Sequence, residues 1–320
     1  MSDKLQTSLA AILNSVINGK EVLISDWSKE FGSIESWGLR AGARGIELSY
    51  PCEWLDAEKI RKNLSVRAIR WIDSLEIESC ISSTNDKLVS SSKTGSCKGK
   101  VCIAEAQIDG RGRRGRTWHT PLGGNIAISL GFELDRTYDE LAGLSLVVGL
   151  SLLDTIQSMG IEGLTLKWPN DLLLYRKKLG GILVELLNSP KKTNTVQVLV
   201  GIGVNLQLNE RLKSSINQDV ADLASKGLSE KRNLLVSNLI SSLVDYVGTF
   251  EEHGFSIMKD QYNLHHALNS QYCEIAIGPK RIRGYVEGID DVGNIKFYTD
   301  DGQLTFSAGE VSLLALERNA

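Results

Sequence analysis

Residues 110–118 read Gly-Arg-Gly-Arg-Arg-Gly-Arg-Thr-Trp, which places four guanidinium groups and three glycines within seven consecutive positions. No core can hold such a run. Fixing glycine backbone is entropically costly and like charges repel, so the run is a surface loop whose order depends on an anion. Arginine offers a planar fork of donors suited to carboxylate and phosphate, and glycine lets backbone N–H groups come close to a ligand. A Gly/Arg nucleic-acid tether is the competing reading. Against it, the run is single and lies between two apolar, strand-like segments, Val101-Cys102-Ile103-Ala104 and Asn125-Ile126-Ala127-Ile128-Ser129-Leu130. It is therefore a loop on a rigid scaffold.

At 320 residues the chain calls for two or three domains. Its 36 Lys and Arg against 39 Asp and Glu leave it nearly neutral. An N-terminal apolar region of signal-peptide type and a stretch of about 20 apolar residues are both missing, which predicts a cytoplasmic protein. Cys52, Cys80, Cys97, Cys102 and Cys273 are odd in number and never in CxxC spacing, so neither a disulfide framework nor a zinc site is expected. No metal-ligating cluster is expected, the pair His265-His266 included.

The first segment, 1–64, opens with the helical stripe Leu5, Leu9, Ile12, Leu13, Val16, Ile17 and stops at Asn18-Gly19. A second helix over Asp26–Phe31, with Ser25 as its N-cap, would complete a helix-turn-helix start. Between Gly32 and Gly38 there is then room for barely one turn, whereas a recognition helix needs several. Arg40 to Leu48 looks like a small β-wing. The segment holds eight Lys/Arg against nine Asp/Glu, which argues against DNA binding. The second segment, 65–268, alternates strand-like runs with helices at Leu141–Met159 and Leu234–Phe250. The third, 269–320, holds short strands separated by Gly-Pro, Asp-Asp-x-Gly and Asp-Asp-Gly turns, the spacing of a small barrel.

Four further patches carry polar groups that a fold alone does not demand. Ser83-Thr84-Asn85 precedes a short polar helix and supplies its N-cap. Lys167-Trp168-Pro169-Asn170-Asp171 sits at a strand end, because proline has no N–H for a central ladder. Tyr175 to Gly181 places the exposed hairpin-tip lysine Lys178 ahead of a buried strand, aimed inward at phosphate. Gly201-Ile202-Gly203-Val204-Asn205 lets a ligand or a backbone pack closely. These patches give Arg and Lys donors and a carboxylate, with no Ser/His/Asp arrangement. Such a set suits attack by one substrate's carboxylate on another's phosphate, as in adenylate formation.

These patches, with Gln107 and the Gly110–Trp118 run, resemble in order and spacing the motifs of biotin protein ligases, from about Ser83 to the C-terminus. Residues 1–64 resemble the winged helix of the bifunctional ligase/repressor class, with the recognition helix shortened. The resemblance implies an α+β fold: a central mixed sheet with helices on one face, after a small winged-helix-like domain and before a small SH3-like β-barrel. It implies ATP-dependent formation of biotinyl-5′-AMP, with Mg²⁺ on the triphosphate, and transfer to a lysine of a biotin carboxyl carrier protein.

By the same resemblance Ser83, Thr84, Asn85 and Gln107 bind biotin's ureido head, and Arg111, Gly112 and Arg113 close over biotin. Lys178 holds the carboxylate and phosphate oxygens, with Arg113 and Asp171 as the other catalytic groups. Asp171 orients or deprotonates the incoming lysine. Arg116, Trp118, Lys167, Asn170 and Asn205 face the nucleotide. Val220 stands where repressor-type relatives carry an adenine-stacking tryptophan. A homodimer is expected, and operator DNA is the alternative partner. Three readings stay open: a ligase with a repurposed N-terminal module, a ligase that is also a repressor, and a Gly/Arg nucleic-acid binder.

Overall fold

The computed structural model describes residues 3–43, 45–93, 95–187, 195–277, 280–307 and 312–315. Helix α1 (Asp3–Ile17) buries Leu9 and Leu13 completely and stops at Gly19, whose φ of 65° ends the helix. The expected second helix over Asp26–Phe31 is absent. In its place stand two 3₁₀ turns, Ile24–Asp26 and Lys29–Phe31. The Asp26 carboxylate accepts the Leu23 N–H at 3.0 Å and Ser28 Oγ accepts Glu30 N–H at 3.2 Å, so short polar side chains take the backbone bonds that a helix needs. The capping residue is Ser28 rather than Ser25. Where a recognition helix would follow there is one four-residue 3₁₀ turn, Ile34–Trp37. The wing is present as β1 (Leu39–Gly42) paired with β2 (Gly45–Leu48).

Two short helices come next, α2 (Ala57–Lys62) and α3 (Val66–Trp71). The central sheet is built from β3 (Ser74–Glu78), β4 (Lys100–Ala104), β5 (Asn125–Leu134), β6 (Leu164–Lys167), β7 (Asp171–Leu174), β8 (Lys177–Leu187) and β9 (Val196–Asn205). Between them lie α4 (Thr84–Ser92) and α5 (Leu144–Ser158), and after them α6 (Glu210–Ser215), α7 (Arg232–His253) and α8 (Lys259–His265). The strand order is β3-β4-β5-β9-β8-β7-β6, parallel at β3/β4 and antiparallel elsewhere, so the sheet is mixed as expected.

Alternation along the strands sorts the two faces. Val101, Ile103, Val198 and Val200 join the large core under α5 and α7, while Cys102 and Leu199 pack with Leu88 of α4. The helices therefore cover both faces: α2, α3, α5 and α7 one side, α4 the other. Ile60 of α2 is in the large core, so this helix, ahead of the boundary expected near residue 64, packs with the central sheet. The segment Asp139–Ser158 is long and apolar enough to cross a membrane by length and composition, yet 72% of its apolar 18-residue window is buried inside the protein, as a core helix is.

The C-terminal strands β10 (Tyr272–Ile277), β11 (Lys280–Ile289), β12 (Ile295–Thr299), β13 (Gly302–Phe306) and β14 (Ser312–Ala315) form an antiparallel sheet in the order β13-β12-β11-β10-β14, consistent with an SH3-like domain. The Gly278-Pro279 turn lies outside the described residues. Gly293, in the Asp-Asp-x-Gly turn, accepts a hydrogen bond from Trp168 Nε1 at 3.0 Å, which ties this domain to the Lys167–Asp171 hairpin.

Candidate active site

A cavity of about 700 Å³ opens over the α4 side of the central sheet. Its walls bring together Ser83, Thr84, Asn85, Gln107, Arg111, Gly112, Arg113, Arg116, Trp118, Lys167, Asn170, Asp171 and Lys178. Asn205 is absent from the walls, and its side chain does other work. Buried at the end of β9, it donates to the Ala221 carbonyl at 3.1 Å and stands 3.5 Å from the Lys178 carbonyl. The nucleotide-contacting role expected for it is therefore replaced by pinning the chain behind Lys178. Asn217 and Gln218 line the cavity instead, and Val220 makes a parallel bridge with Lys178.

One end of the cavity is polar but buried. Gln107 Oε1 accepts the Thr84 N–H at 2.8 Å, and Gln107 Nε2 donates to Thr120 Oγ1 at 3.1 Å. Ser129 Oγ lies 2.7 Å from Thr84 Oγ1 and bonds Asn85 Oδ1, while Asn85 Nδ2 donates to Glu185 Oε2 at 2.5 Å. Ser83 is at the N-cap position of α4, but its hydroxyl makes no capping bond, and the N–H of Thr84, the first helical residue, goes to Gln107. Gly201 is required beneath this row, since a Cβ there would meet Asn85 Oδ1 at 2.5 Å. Thr120 and Ser129 were not singled out from the sequence. An isolated hydroxyl in an apolar run, such as Ser129 in β5, is the signal that could have found them.

The other part is basic. Lys178 Nζ sits 2.8 Å from Asp171 Oδ1 and 5.8 Å from the centre of the Trp118 ring. Its side chain is only 15% exposed, so the lysine is inside β8 rather than at an exposed hairpin tip. The turn itself is at Tyr175 and Arg176, both with positive φ. The β7/β8 register shifts between Leu172 and Leu173, a bulge beside Lys178 of the kind that re-aims side chains. Backbone bonds from Lys178 N to Asp219 O and from Ala221 N to Lys178 O, 2.9 and 2.8 Å, fix the strand there.

The Gly/Arg loop closes one side through bonds of its own. Gly112 N donates to Arg116 O and Trp118 N to Gly110 O, both at 2.7 Å. Arg113 donates to Asn170 Oδ1 at 3.1 Å, and Asn170 Nδ2 donates to the Ile182 carbonyl at 3.0 Å, which fixes which end of that amide faces the arginine. Arg111 is ion-paired with Asp86 of α4. Burial lowers the Arg113 pKa from its usual value, with Arg114 adding to the effect. The loop thus has protein partners at both ends, where the sequence offered only an anion to order it. Trp118 lies on β8 and β9, where a Cβ at Gly203 would meet the indole at 2.3 Å and one at Gly181 at 3.4 Å. The glycines of both motifs are sites of close approach.

Known proteins resemble this chain in sequence and in fold. Residues 78–205 match the biotin/lipoate A/B protein ligase family. The bifunctional ligase/repressor BirA of Salmonella typhimurium is 31% identical over 294 residues, 91% of this chain and 89% of that protein. Biotin–[acetyl-CoA-carboxylase] ligase of Mycobacterium tuberculosis is 27% identical over 263 residues, 80% of this chain and 95% of that one. Among solved structures, the biotin protein ligase of Aquifex aeolicus in complex with biotin and ATP superposes with a TM-score of 0.63 at 24% identity, over 77% of this chain and all of that one, and shows the same fold. With its likeness to the Salmonella protein running along nine-tenths of its length, the chain belongs to the biotin protein ligase family and is a ligase.

Proposed function

We propose that this ligase activates biotin with ATP as biotinyl-5′-AMP and passes the acyl group to a lysine of a biotin carboxyl carrier protein. The observation that carries the reading is one cavity that joins a buried row of amides and hydroxyls to a basic cluster of Lys178, Lys167 and Arg113. The first part suits a ureido ring, which has both N–H donors and a carbonyl acceptor. The second suits two anions that must be brought together. Lys178 offsets the repulsion between a carboxylate and an α-phosphate, and Asp171, 2.8 Å away, holds its ammonium group in position. In the second half-reaction Asp171 is the carboxylate available to orient an incoming lysine. Trp118 and the closed Gly/Arg loop exclude water from a mixed anhydride that hydrolyses readily.

For magnesium the donor set does not fit a protein-built site. Among the described residues Asp171 is the sole carboxylate on the cavity wall and is paired with Lys178, and no group of three His, Cys, Asp or Glu side chains is present. Biotin-dependent exchange of pyrophosphate into ATP, followed by transfer of labelled biotin to a carrier domain, tests the reading; exchange that does not depend on biotin would refute it.

Operator binding is not expected of this protein. The 3₁₀ turn Ile34–Trp37 is turned toward the ligase domain: Glu35 O accepts from Asn209 Nδ2 at 2.5 Å, Arg211 pairs with Glu35 at 3.3 Å, and Trp37 O accepts from Leu122 N at 2.9 Å. One turn so engaged cannot lie in a major groove.

A further inference from the structure

Glu185 lies outside the cavity wall and is half-buried on β8, two residues beyond Leu183, which is paired across the sheet with Gly201. A carboxylate can only accept hydrogen bonds. The Asn85 amide therefore has to turn its nitrogen toward Glu185 and its Oδ1 toward Ser129. Oδ1 is again only an acceptor, so the single Ser129 proton is committed to it. The Ser129 oxygen is then left to accept from Thr84, 2.7 Å away. Thr84 gives its proton there rather than to Gln107 Oε1 at 3.1 Å, which already receives the Thr84 N–H at 2.8 Å. Gln107 in turn points its nitrogen at Thr120.

We infer that Glu185 is a positioning residue that sets the direction of the Asn85–Ser129–Thr84 part of this row, Gln107 being held by the Thr84 N–H, and with it the pattern of donors and acceptors offered to the head of the ligand. The inference rests on the reading that the row receives biotin's ureido ring. Neutral hydroxyls and amides linked in a row can be satisfied in more than one direction, because each amide can flip and each hydroxyl can rotate. A charged acceptor at one end removes that freedom and makes the bond to it stronger than a neutral one. A cyclic urea needs donors and acceptors at fixed places, so a row that can reverse recognises it only part of the time, and the affinity falls with the competent fraction.

Glu185→Gln is the informative change, since it keeps size and shape but can either donate or accept. In pyrophosphate exchange on the full-length protein, the KM for biotin is expected to rise about tenfold, with the KM for ATP and the kcat at saturating biotin within about twofold of the unchanged protein. Glu185→Ala is expected to raise the biotin KM further. Thermal melting accompanies both variants. An unchanged biotin KM in both variants overturns the inference, and so does a matching rise in both KM values together with a lowered melting temperature, which would mean a merely structural acceptor. If the unsubstituted protein shows no biotin-dependent exchange, the underlying reading fails and the inference with it.

Discussion

Lys178 and Asp171 are paired with each other on the cavity wall, and both are mostly shielded from water. Lys178→Ala therefore has two expected effects. Adenylation falls by about 10²- to 10³-fold, because a donor aimed at developing negative charge is lost. Stability falls by roughly 1–3 kcal/mol, because Asp171 is left without its partner; an exposed lysine would cost far less. Single-turnover pyrophosphate release and thermal melting measure the two, and near-normal release would remove Lys178 from the chemistry. A second residue-scale prediction concerns pH. His266 is buried against Tyr262 with neither ring nitrogen hydrogen-bonded, and burial lowers its pKa from 6.5 to about 4. The unfolded chain then takes up a proton that the folded protein refuses. Stability is undiminished above about pH 6.5, falls as the pH drops from 6.5 toward 4, and by pH 4 the loss reaches up to ~3 kcal/mol. His266→Phe is expected to flatten that part of the melting-temperature profile; an equal slope in the variant would assign it to other groups.

At the scale of elements, the loop and the two strands beneath it act as a unit. Gly203 is the point of closest approach, with room for hydrogen and not for a methyl group under the Trp118 indole. Gly203→Ala is expected to leave the central sheet intact and to lower ligand affinity tenfold or more, because Trp118 has to leave its seat; tryptophan fluorescence with and without biotin reports it. The loop's own bonds, with the Arg111–Asp86 and Arg113–Asn170 contacts, mean that closure starts from a partly organised segment. Limited proteolysis between Gly110 and Arg116 is expected to be slowed by biotin, and to be faster in Asp86→Ala than in the unsubstituted protein when both are empty. Equal cleavage with and without ligand would mean that the loop does not close on it.

At the scale of the molecule, the N-terminal module is not a free appendage. Ala106 and Leu122 of the ligase domain are buried in the same small core as Leu9, Leu13, Phe31 and Leu39. These two residues flank Gln107 and Thr120, so the module packs behind the polar end of the cavity. Tyr50 donates to the Leu122 carbonyl at 2.8 Å, and the stretch that follows is bound to a fully buried ion pair. Arg232 lies 2.6 Å from Glu105 and donates to the Glu53 carbonyl at 2.9 Å and the Asn125 carbonyl at 3.1 Å. With this packing, a chain truncated to remove residues 1–64 should melt earlier and bind biotin more weakly. Glu105→Gln should cost about 3–5 kcal/mol, since breaking a buried pair strands the remaining charge. Normal melting and normal biotin affinity in the truncated protein would show the module to be dispensable. Gel shift of the full-length protein with biotin and ATP is expected to give no preference for an operator over random duplex.

Local chemistry decides what the sequence determines by itself. The Gly/Arg run had to be a loop, the stripe from Leu5 to Ile17 had to be a helix, and the glycines of the Gly201–Asn205 motif had to mark close approach, because each follows from backbone freedom, charge or periodicity within a few residues. Thirteen of the fourteen residues proposed for the site meet in one cavity, since ligand-directed side chains at strand ends and in loops stand out against an apolar scaffold. Tertiary structure decided the rest. Asn205 has the same polarity as a ligand-contacting asparagine, and only its distance to Ala221 shows that it ties backbone instead. Ser129 on β5 and Glu185 on β8 reach Asn85 only through the pairing of β5, β9 and β8, contacts 44 and 100 residues apart in the chain, and Thr120 is brought in by its bond with Gln107. The fate of the shortened turn at Ile34–Trp37 was likewise undetermined locally. Four residues suffice to rule out a long helix, but whether that turn faces solvent or a neighbouring domain depends on partners more than 80 residues away, and no local rule carries that information.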